Sequence, residues 1–312
     1  MGKLSVALFV FNRPQYAKKV IDAIKKYQPK KLYVYCDGPR VQKFEEDSKH
    51  INEIKYYLGE KKFVNIEYRF STSNSGCKKS IINGLDHFFS KEDFGVILED
   101  DCVPELKFFD LCEYSNSTYS NSNNIQLVSG TNYLFQEIED DKYFLSKMGA
   151  IWGWATWGHV WKGVTNNFDN IDKEELSKQI SNWYNHEGYS QFIYKMIEGV
   201  IDGKLDAWSL YFLYDQIKNK RLSVVSENNL ISNIGDEGTH AVIKSPFIKM
   251  ATKNKLITSI SLKNENNCDY DTIAMNNIIN KELESLIKHE KSSFFQRIKD
   301  SFKYRIGRHL KN

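Results

Sequence analysis

Cysteine is scarce in this chain, with five residues among 312, no CxxC pair and no spacing typical of metal ligands. The odd count argues against a disulfide framework of the kind that stabilises small secreted domains. Because 41% of the residues are hydrophobic, the chain can bury a sizeable core without such bonds. The sequence therefore predicts an ordered protein in a reducing compartment.

The apolar run at the N-terminus is short. Residues 4–11 are too few to span a bilayer, and no small-residue cleavage site follows them. We therefore interpret this run as a β-strand and not as a signal peptide.

Residues 1–290 carry no net positive charge. Residues 291–312 hold seven Lys or Arg and one Asp, so the net charge of +3 leaves −3 for residues 1–290. A body of that sign does not match a phosphate backbone, and we expect no nucleic-acid partner.

Apolar strand patterns alternate with helical periodicity through about residue 100, in the order βαβαβαβ. Strands are predicted at residues 4–11, 31–36, 64–70 and 95–99, and helices begin near Pro14 and Gly76. We therefore predict an α/β fold with a mostly parallel sheet flanked by helices. Later residues add a strand at 126–129, several helices and a C-terminal helical extension.

Polar residues follow each of the four predicted strands, at the edge where sheets of this kind bind ligands. They are Asn12 and Arg13 after the first strand, Asp37 after the second, Asn74 and Gly76 after the third, and Glu99, Asp100 and Asp101 after the fourth. We call the last three residues the acidic triplet. Free backbone N–H groups at the helix start beside Gly76 favour an anion, although capping alone explains Asn74 equally well.

The acidic triplet places three adjacent carboxyl groups at the end of an apolar strand. They repel one another unless a cation or hydrogen-bond donors compensate. Hard divalent ions such as Mg²⁺ and Mn²⁺ prefer oxygen ligands and keep positions open for substrate phosphates. A solvated acidic turn is the simpler alternative, but the position at the end of a central strand favours a metal or a nucleotide.

Six motifs extend over roughly residues 4–240. They are Phe11-Asn12-Arg13-Pro14, Cys36-Asp37-Gly38, Asn74-Ser75-Gly76, the acidic triplet, Trp152-Gly153-Trp154-Ala155-Thr156-Trp157, and residues 229–235 followed by Thr239-His240. Together they resemble the GT-A nucleotide-sugar glycosyltransferases, both the bacterial family-two-like group and N-acetylglucosaminyltransferase I. The set is more specific than any one member.

The resemblance implies roles for the polar residues at the strand ends. Asp101 would coordinate a metal that bridges two phosphates, and Asp100 would contact the ribose or assist the metal. Asp37 would bind the nucleobase and Arg13 would lie near the nucleotide, although an Asp-Gly turn and a surface charge explain these two residues more simply. The remaining residues expected at the nucleotide sugar are Asn12, Asn74, Gly76 and Glu99.

All six tryptophans lie between Trp152 and Trp208. Aromatic faces stack on the apolar faces of sugar rings, so we expect Trp152 and Trp154 to contact the acceptor. A second packed core is the alternative.

Asp206 is the candidate general base that an inverting transferase needs near the acceptor hydroxyl. It stands at the predicted start of a helix, at the point in the chain where the resemblance places the base, although helix capping explains it equally well. Asp236 and Glu237 are the alternatives. By the same resemblance, His240 would complete the metal shell or contact the diphosphate.

Residues 291–312 carry apolar side chains at helical spacing with basic residues between them. This pattern is typical of a helix that lies on an anionic membrane surface, and docking on the protein's own body is the alternative. We therefore expect a cytoplasmic protein attached peripherally to the inner face of the cell membrane.

The sequence as a whole predicts a metal-dependent, inverting hexosyl- or N-acetylhexosaminyltransferase. Its donor would be a nucleoside diphosphate sugar, with UDP expected first, and its acceptor a glycan or lipid-linked glycan in surface polysaccharide or lipopolysaccharide synthesis. The catalytic domain would span residues 1–245, with a donor half at 1–105 and an acceptor half at 106–245, before a connector at 246–290.

Two other functions remain open. A sugar nucleotidyltransferase can use a similar sheet, but it needs a Gly-rich phosphate loop that is missing after the first strand. A non-catalytic, membrane-attached module that binds glycans or nucleotides is the second alternative.

Overall fold

The computed structural model describes residues 2–133, 143–164, 168, 171–235 and 271–280. The strands are β1 (Ser5–Val10), β2 (Leu32–Cys36), β3 (Ile66–Phe70), β4 (Phe94–Glu99), β5 (Cys102–Pro104), β6 (Ile125–Ser129), β7 (Tyr143–Ser146), β8 (Trp154–Trp157), β9 (Leu222–Ser226) and β10 (Ile231–Asn233). The helices are α1 (Pro14–Tyr27), α2 (Phe44–Glu60), α3 (Cys77–Phe89), α4 (Leu106–Tyr119), α5 (Gly158–Lys162), α6 (Lys173–Tyr184), α7 (Glu187–Ile201) and α8 (Ser209–Asn219). A short 3-10 helix spans Val41–Lys43, and residues 271–280 are helical.

The central sheet joins eight of the described strands in the order β3-β2-β1-β4-β8-β6-β9-β7. Six of them run in one direction, and β7 and β8 run in the other. Strands β1, β2, β4 and β6 are almost fully buried, which is why they are continuous apolar runs and do not alternate. The predicted α/β fold, with a mostly parallel sheet flanked by helices, is confirmed.

The chain changes its direction across the sheet at β1. It passes from β1 to β2 and β3 on one side, and then returns to form β4 on the other side of β1. Sheets of this kind bind ligands outside the carboxyl ends of the strands where the order reverses. The residues that leave β1 and β4 at this point are Asn12-Arg13 and Asp100-Asp101.

Helix α1 shows how the sequence determines the flanking layers. Pro14 at its first position has the fixed φ that suits a helix start, and Ala17, Val20, Ile21 and Ile24 form one buried stripe. Helix α1 packs against α2 and α4, whereas α3 packs against α5. The helical layers therefore leave the carboxyl ends of β1 and β4 between them.

A second apolar core lies beyond the central sheet. It is formed mainly by α6, α7, α8 and the helix at residues 271–280, with buried side chains that include Trp183, Ile193, Leu210 and Ile278. A two-stranded antiparallel ribbon of β5 and β10 follows directly on the acidic triplet. This ribbon brings residues 231–235 back to the end of β4.

The predicted order βαβαβαβ through residue 100 is confirmed, with strand ends that shift by one or two residues. The predicted membrane helix at 291–312 lies outside the described residues, as does the connector except for 271–280, so these domain boundaries stay predictions. No helix in the described ranges is long and apolar enough to cross a membrane.

Candidate active site

Arg13 joins the ends of β1 and β4. Its guanidinium donates to both carboxylate oxygens of Asp100, with Nε 3.4 Å from Oδ2, and to Asp101 Oδ2 at 2.9 Å. Burial alone would lower the pKa of Arg13, but the charges of and hydrogen bonds to the two aspartates raise it above its usual value. A permanent cation therefore fixes two of the three carboxyl groups.

The acidic triplet carries more negative charge than Arg13 offsets. Burial, with the charges of Asp101 and Asp100, raises the pKa of Glu99 to about 8. Burial also raises the pKa of Asp100 to about 6 against the opposing effect of Arg13. Carboxyl groups perturbed in this way beside a specific charge partner are typical of functional sites.

The donor chemistry of the triplet fits a hard divalent cation. Its atoms are carboxylate oxygens, and the carboxylates of Asp100 and Asp101 share the one guanidinium of Arg13, so a further cation would offset the remaining charge. Asp101 and Asp100 are the residues that would hold such an ion. Within the described residues, no three His, Cys, Asp or Glu side chains converge as a ligand set.

Asp37 connects the loops that follow β2 and β3. Its carboxylate accepts hydrogen bonds from the backbone N–H groups of Gly38, Ser75 and Gly76 at 2.8 to 3.1 Å, and from the Ser75 hydroxyl at 3.1 Å. Asn74 donates to the Gly38 carbonyl at 2.7 Å. These bonds use the acceptor capacity of Asp37. The predicted contact with a nucleobase would require one of them to be released.

Asn12 belongs to a buried ionic network beneath the same edge. It donates to Asp47 Oδ1 at 2.7 Å, and Arg40 donates to both carboxylate oxygens of Asp47 at 2.8 Å. Asp47 is fully buried. The hydrogen bond from Arg40 is the largest of the effects that lower the pKa of Asp47 to about 2. Asn12 is thereby held in place by α2, and its side-chain N–H is committed to Asp47.

Gly235 packs directly against the carboxylate of Asp101. A Cβ atom at this position would lie 2.1 Å from Asp101 Oδ2, and the backbone N–H of Ile234 donates to the Asp101 carbonyl at 2.9 Å. Asn233 accepts from the Gly235 N–H at 3.0 Å and thus shapes the turn. The segment after β10 therefore forms one wall of the candidate metal position.

Asp206 does not cap a helix, because α8 begins at Ser209 and has no side-chain cap. The predicted helix start at Asp206 is thus three residues too early. The carboxylate of Asp206 is exposed and lies 3.7 Å from Lys78 Nζ. The same ammonium donates to the Tyr211 hydroxyl at 2.9 Å, so Lys78 connects α3 with α8 beside Asp206.

Cys77 is the first residue of α3, and its side chain is exposed. The next residue, Lys78, pairs with Asp206. Asp206 therefore lies beside the first turn of α3, directly after the loop that Asp37 secures.

The two tryptophans predicted to contact an acceptor differ in exposure. Trp154 is 1% exposed and stacks on Trp208 with ring centres 6.0 Å apart, so its predicted contact conflicts with its burial and the packing alternative describes it. Trp152 is half-buried. Strand β8 is antiparallel to β4 with Trp154 opposite Ile97, so the chain enters β8 at the edge of the sheet where β4 ends, and Trp152 lies two residues before that point.

The described residues include all of the predicted site except for His240 and the alternative bases Asp236 and Glu237, which lie outside the described ranges. Sequence reasoning missed the roles of Arg40, Asp47 and Gly235. Arg40 lies two residues after the Asp-Gly turn, and this position could have marked it as a residue near the site. Asp47 and Gly235 act through contacts with Asn12 and Asp101, which are distant in sequence.

No protein-family model and no curated protein match this chain. Among solved structures, 29 chains match. One is the mannosyltransferase PcManGT from Pyrobaculum calidifontis in complex with GDP-Man and Mn²⁺, at 8% identity and a TM-score of 0.40, covering 70% of each chain. Another is the glycosyltransferase GlyE of Streptococcus pneumoniae TIGR4, at 9% identity and a TM-score of 0.32, covering 90% of this chain and 64% of that one. Both TM-scores are below 0.5, so neither structure identifies the chemistry of this chain.

Proposed function

We propose that this chain is a glycosyltransferase that moves a sugar from a nucleoside diphosphate sugar to an acceptor hydroxyl. The observation that carries the proposal is the convergence of Arg13 with the acidic triplet at the point where the strand order reverses. That point is the usual ligand crevice of such sheets. A half-buried cation beside a surplus of carboxylates suits a ligand that brings both phosphates and a metal.

The acceptor hydroxyl attacks the anomeric carbon of the donor sugar. A bond forms between the hydroxyl oxygen and that carbon, the bond from the carbon to the diphosphate oxygen breaks, and the diphosphate leaves with the electron pair. Asp206 takes the hydroxyl proton. A divalent ion, when bound, supplies positive charge for the leaving diphosphate.

The residues of the site have distinct tasks in this proposal. Asp101 and Asp100 would hold the ion, and Arg13 keeps their carboxylates at fixed positions. Asp37 secures the loop before α3 by accepting from the backbone N–H groups of Ser75 and Gly76. Lys78 restrains the segment that carries Asp206. Trp152 contributes an aromatic wall on the acceptor side.

The proposed function extends to the donor, the ion, the acceptor and the cellular location. The donor is a UDP-sugar that carries a hexosyl or N-acetylhexosaminyl group, the ion is Mn²⁺ or Mg²⁺, and the configuration is inverted. The acceptor is a glycan or lipid-linked glycan of surface polysaccharide synthesis. Residues 291–312 attach the protein to the cytoplasmic face of the membrane through their basic, amphipathic pattern.

Release of nucleoside diphosphate from a panel of UDP-, GDP- and dTDP-sugars with Mn²⁺ tests the proposal. We expect release from donors of one base, lost in Asp101→Asn and retained in Asp110→Asn, which alters an exposed carboxylate on α4. Release that persists unchanged in Asp101→Asn would contradict the assignment of the acidic triplet.

A further inference from the structure

An apolar cavity of about 420 Å³ lies between the central sheet and the second core. Its walls come from β6, the segment before β8, α6, α7, α8 and the helix at residues 271–280, and they include Trp152, Tyr184, Met196, Leu210 and Ile278. None of the described lining residues is Asp, Glu, Lys, Arg or His. The volume and the apolar, aromatic lining are typical of a small-molecule site.

The cavity adjoins the acidic edge at two points. Trp152 lines it and precedes β8 by two residues, at the edge of the sheet where β4 ends, because β8 runs antiparallel to β4. Ser209 also lines it and begins α8, three residues after Asp206. A molecule seated in the cavity would therefore have one end near both the acidic triplet and the candidate base.

The lining determines what can occupy this space. A sugar or a phosphate would lose its hydrogen bonds to water and gain no charged partner from the described walls. A hydrocarbon chain has no hydrogen bonds to lose on entry, and it removes apolar surface from water. Most of the lining is apolar or aromatic, which favours such a ligand.

We propose that this cavity binds the hydrocarbon part of a lipid-linked acceptor, with the acceptor's hydroxyl group at the acidic edge. The inference rests on the proposed transferase function and narrows its acceptor class. It also assigns Met196 and Leu210 to substrate binding, which their sequence context alone does not indicate.

The test compares octyl β-D-glucoside, below its critical micelle concentration, with methyl β-D-glucoside by isothermal titration calorimetry. The two probes share one sugar and differ only in the alkyl chain. We expect octyl glucoside to bind at least tenfold more tightly. Equal binding of both probes, or binding of neither, overturns the proposal.

The variant Met196→Trp fills the cavity from α7, and Lys195→Trp adds the same ring at the neighbouring exposed position. We expect Met196→Trp to weaken octyl glucoside binding at least tenfold, and Lys195→Trp to bind as the wild type does. Wild-type affinity in a folded Met196→Trp overturns the proposal. If that variant does not fold, Leu213→Phe on the α8 wall replaces it, with the same expectation.

Nucleotide binding in the same samples separates this inference from the function on which it rests. A nucleotide response with Mn²⁺ but no preference for octyl glucoside contradicts only the cavity assignment. Absence of the nucleotide response contradicts the transferase itself, whatever the glucosides do.

Discussion

Arg13 Nη2 lies 2.9 Å from Asp101 Oδ2, so the residue that leaves β1 holds the last carboxylate of the acidic triplet. The two residues are 88 positions apart in sequence and meet because β1 and β4 are parallel neighbours. Arg13 also donates to Asp100, which is 4% exposed. The guanidinium therefore organises the site and compensates a buried charge.

Replacing Arg13 with alanine should destabilise the fold and abolish activity together. The change leaves the buried Asp100 carboxylate without its cation, and losing one partner of such a pair costs about 3 kcal/mol. Urea unfolding measures the loss. Arg69→Ala, which removes an arginine half-exposed on β3, should change stability by less than about 0.5 kcal/mol. Equal stability of the two variants would contradict the role given to Arg13.

Asp47→Asn should show a stability loss that depends on pH. The pKa of Asp47 is lowered to about 2 in the folded protein, below its ordinary value of 3.8. Its contribution is therefore complete above about pH 5 and is lost as the pH falls toward 2, and a shift of this size corresponds to about 2 kcal/mol. Urea unfolding at pH 7 and pH 3 should give a smaller difference from wild type at pH 3.

The control for this prediction is Glu45→Gln, which alters an exposed carboxylate in the first turn of α2. It should have little effect at either pH. An Asp47→Asn difference that is as large at pH 3 as at pH 7 would show that packing, and not the charge of Asp47, supports Asn12.

Gly235→Ala should impair the site without unfolding the protein. The new Cβ atom would lie 2.1 Å from Asp101 Oδ2, and this carboxylate is a side-chain end that can move away. We expect at least tenfold weaker binding of nucleoside diphosphate with Mn²⁺ and a melting temperature close to wild type. Gly59→Ala, whose Cβ would meet nothing within 4 Å, should leave binding unchanged. Undiminished binding in Gly235→Ala would remove residues 231–235 from the site.

Lys78→Met should lower kcat with little change in overall stability. The lysine holds the Tyr211 hydroxyl and lies beside Asp206, so its loss frees the segment that carries the candidate base. We expect a decrease in kcat of about tenfold, smaller than the 10²- to 10⁴-fold typical of removing a general base, as in Asp206→Asn. Lys79→Met alters the exposed neighbour on α3 and is the matched control.

The variant Asp206→Asn tests the candidate base itself. Activity of this variant within twofold of wild type would exclude Asp206 as the base.

The first hundred residues were predictable because β1, β2 and β4 are buried on both faces and the helices between the strands are amphipathic. The pattern of β1 to β4 is local, and the carboxyl ends of parallel strands meet at one edge by geometry. The acidic triplet could therefore be located from sequence. The local sequence pattern did not predict that Arg13 pairs with Asp100 and Asp101. That pairing depends on which strands are neighbours in the sheet.

The later residues were harder to interpret because their contacts are distant in sequence. Trp154 appeared as one of several clustered aromatic residues, and only the position of β8 inside the sheet explains why it is buried. Asp206 stood at a plausible helix start, yet α8 begins at Ser209. The wall formed by Gly235 depends on the pairing of β10 with β5.

Thermal unfolding with UDP, GDP, CMP or dTDP, each with Mn²⁺ or EDTA, tests the central claim most directly. A ligand that binds the folded state raises the melting temperature. For wild type and Asp110→Asn we predict an increase with one nucleotide only, dependent on Mn²⁺, and for Asp101→Ala no increase. No increase with any nucleotide, or an equal increase in Asp101→Ala, would contradict the claim that the acidic triplet binds the metal and diphosphate of a nucleotide sugar.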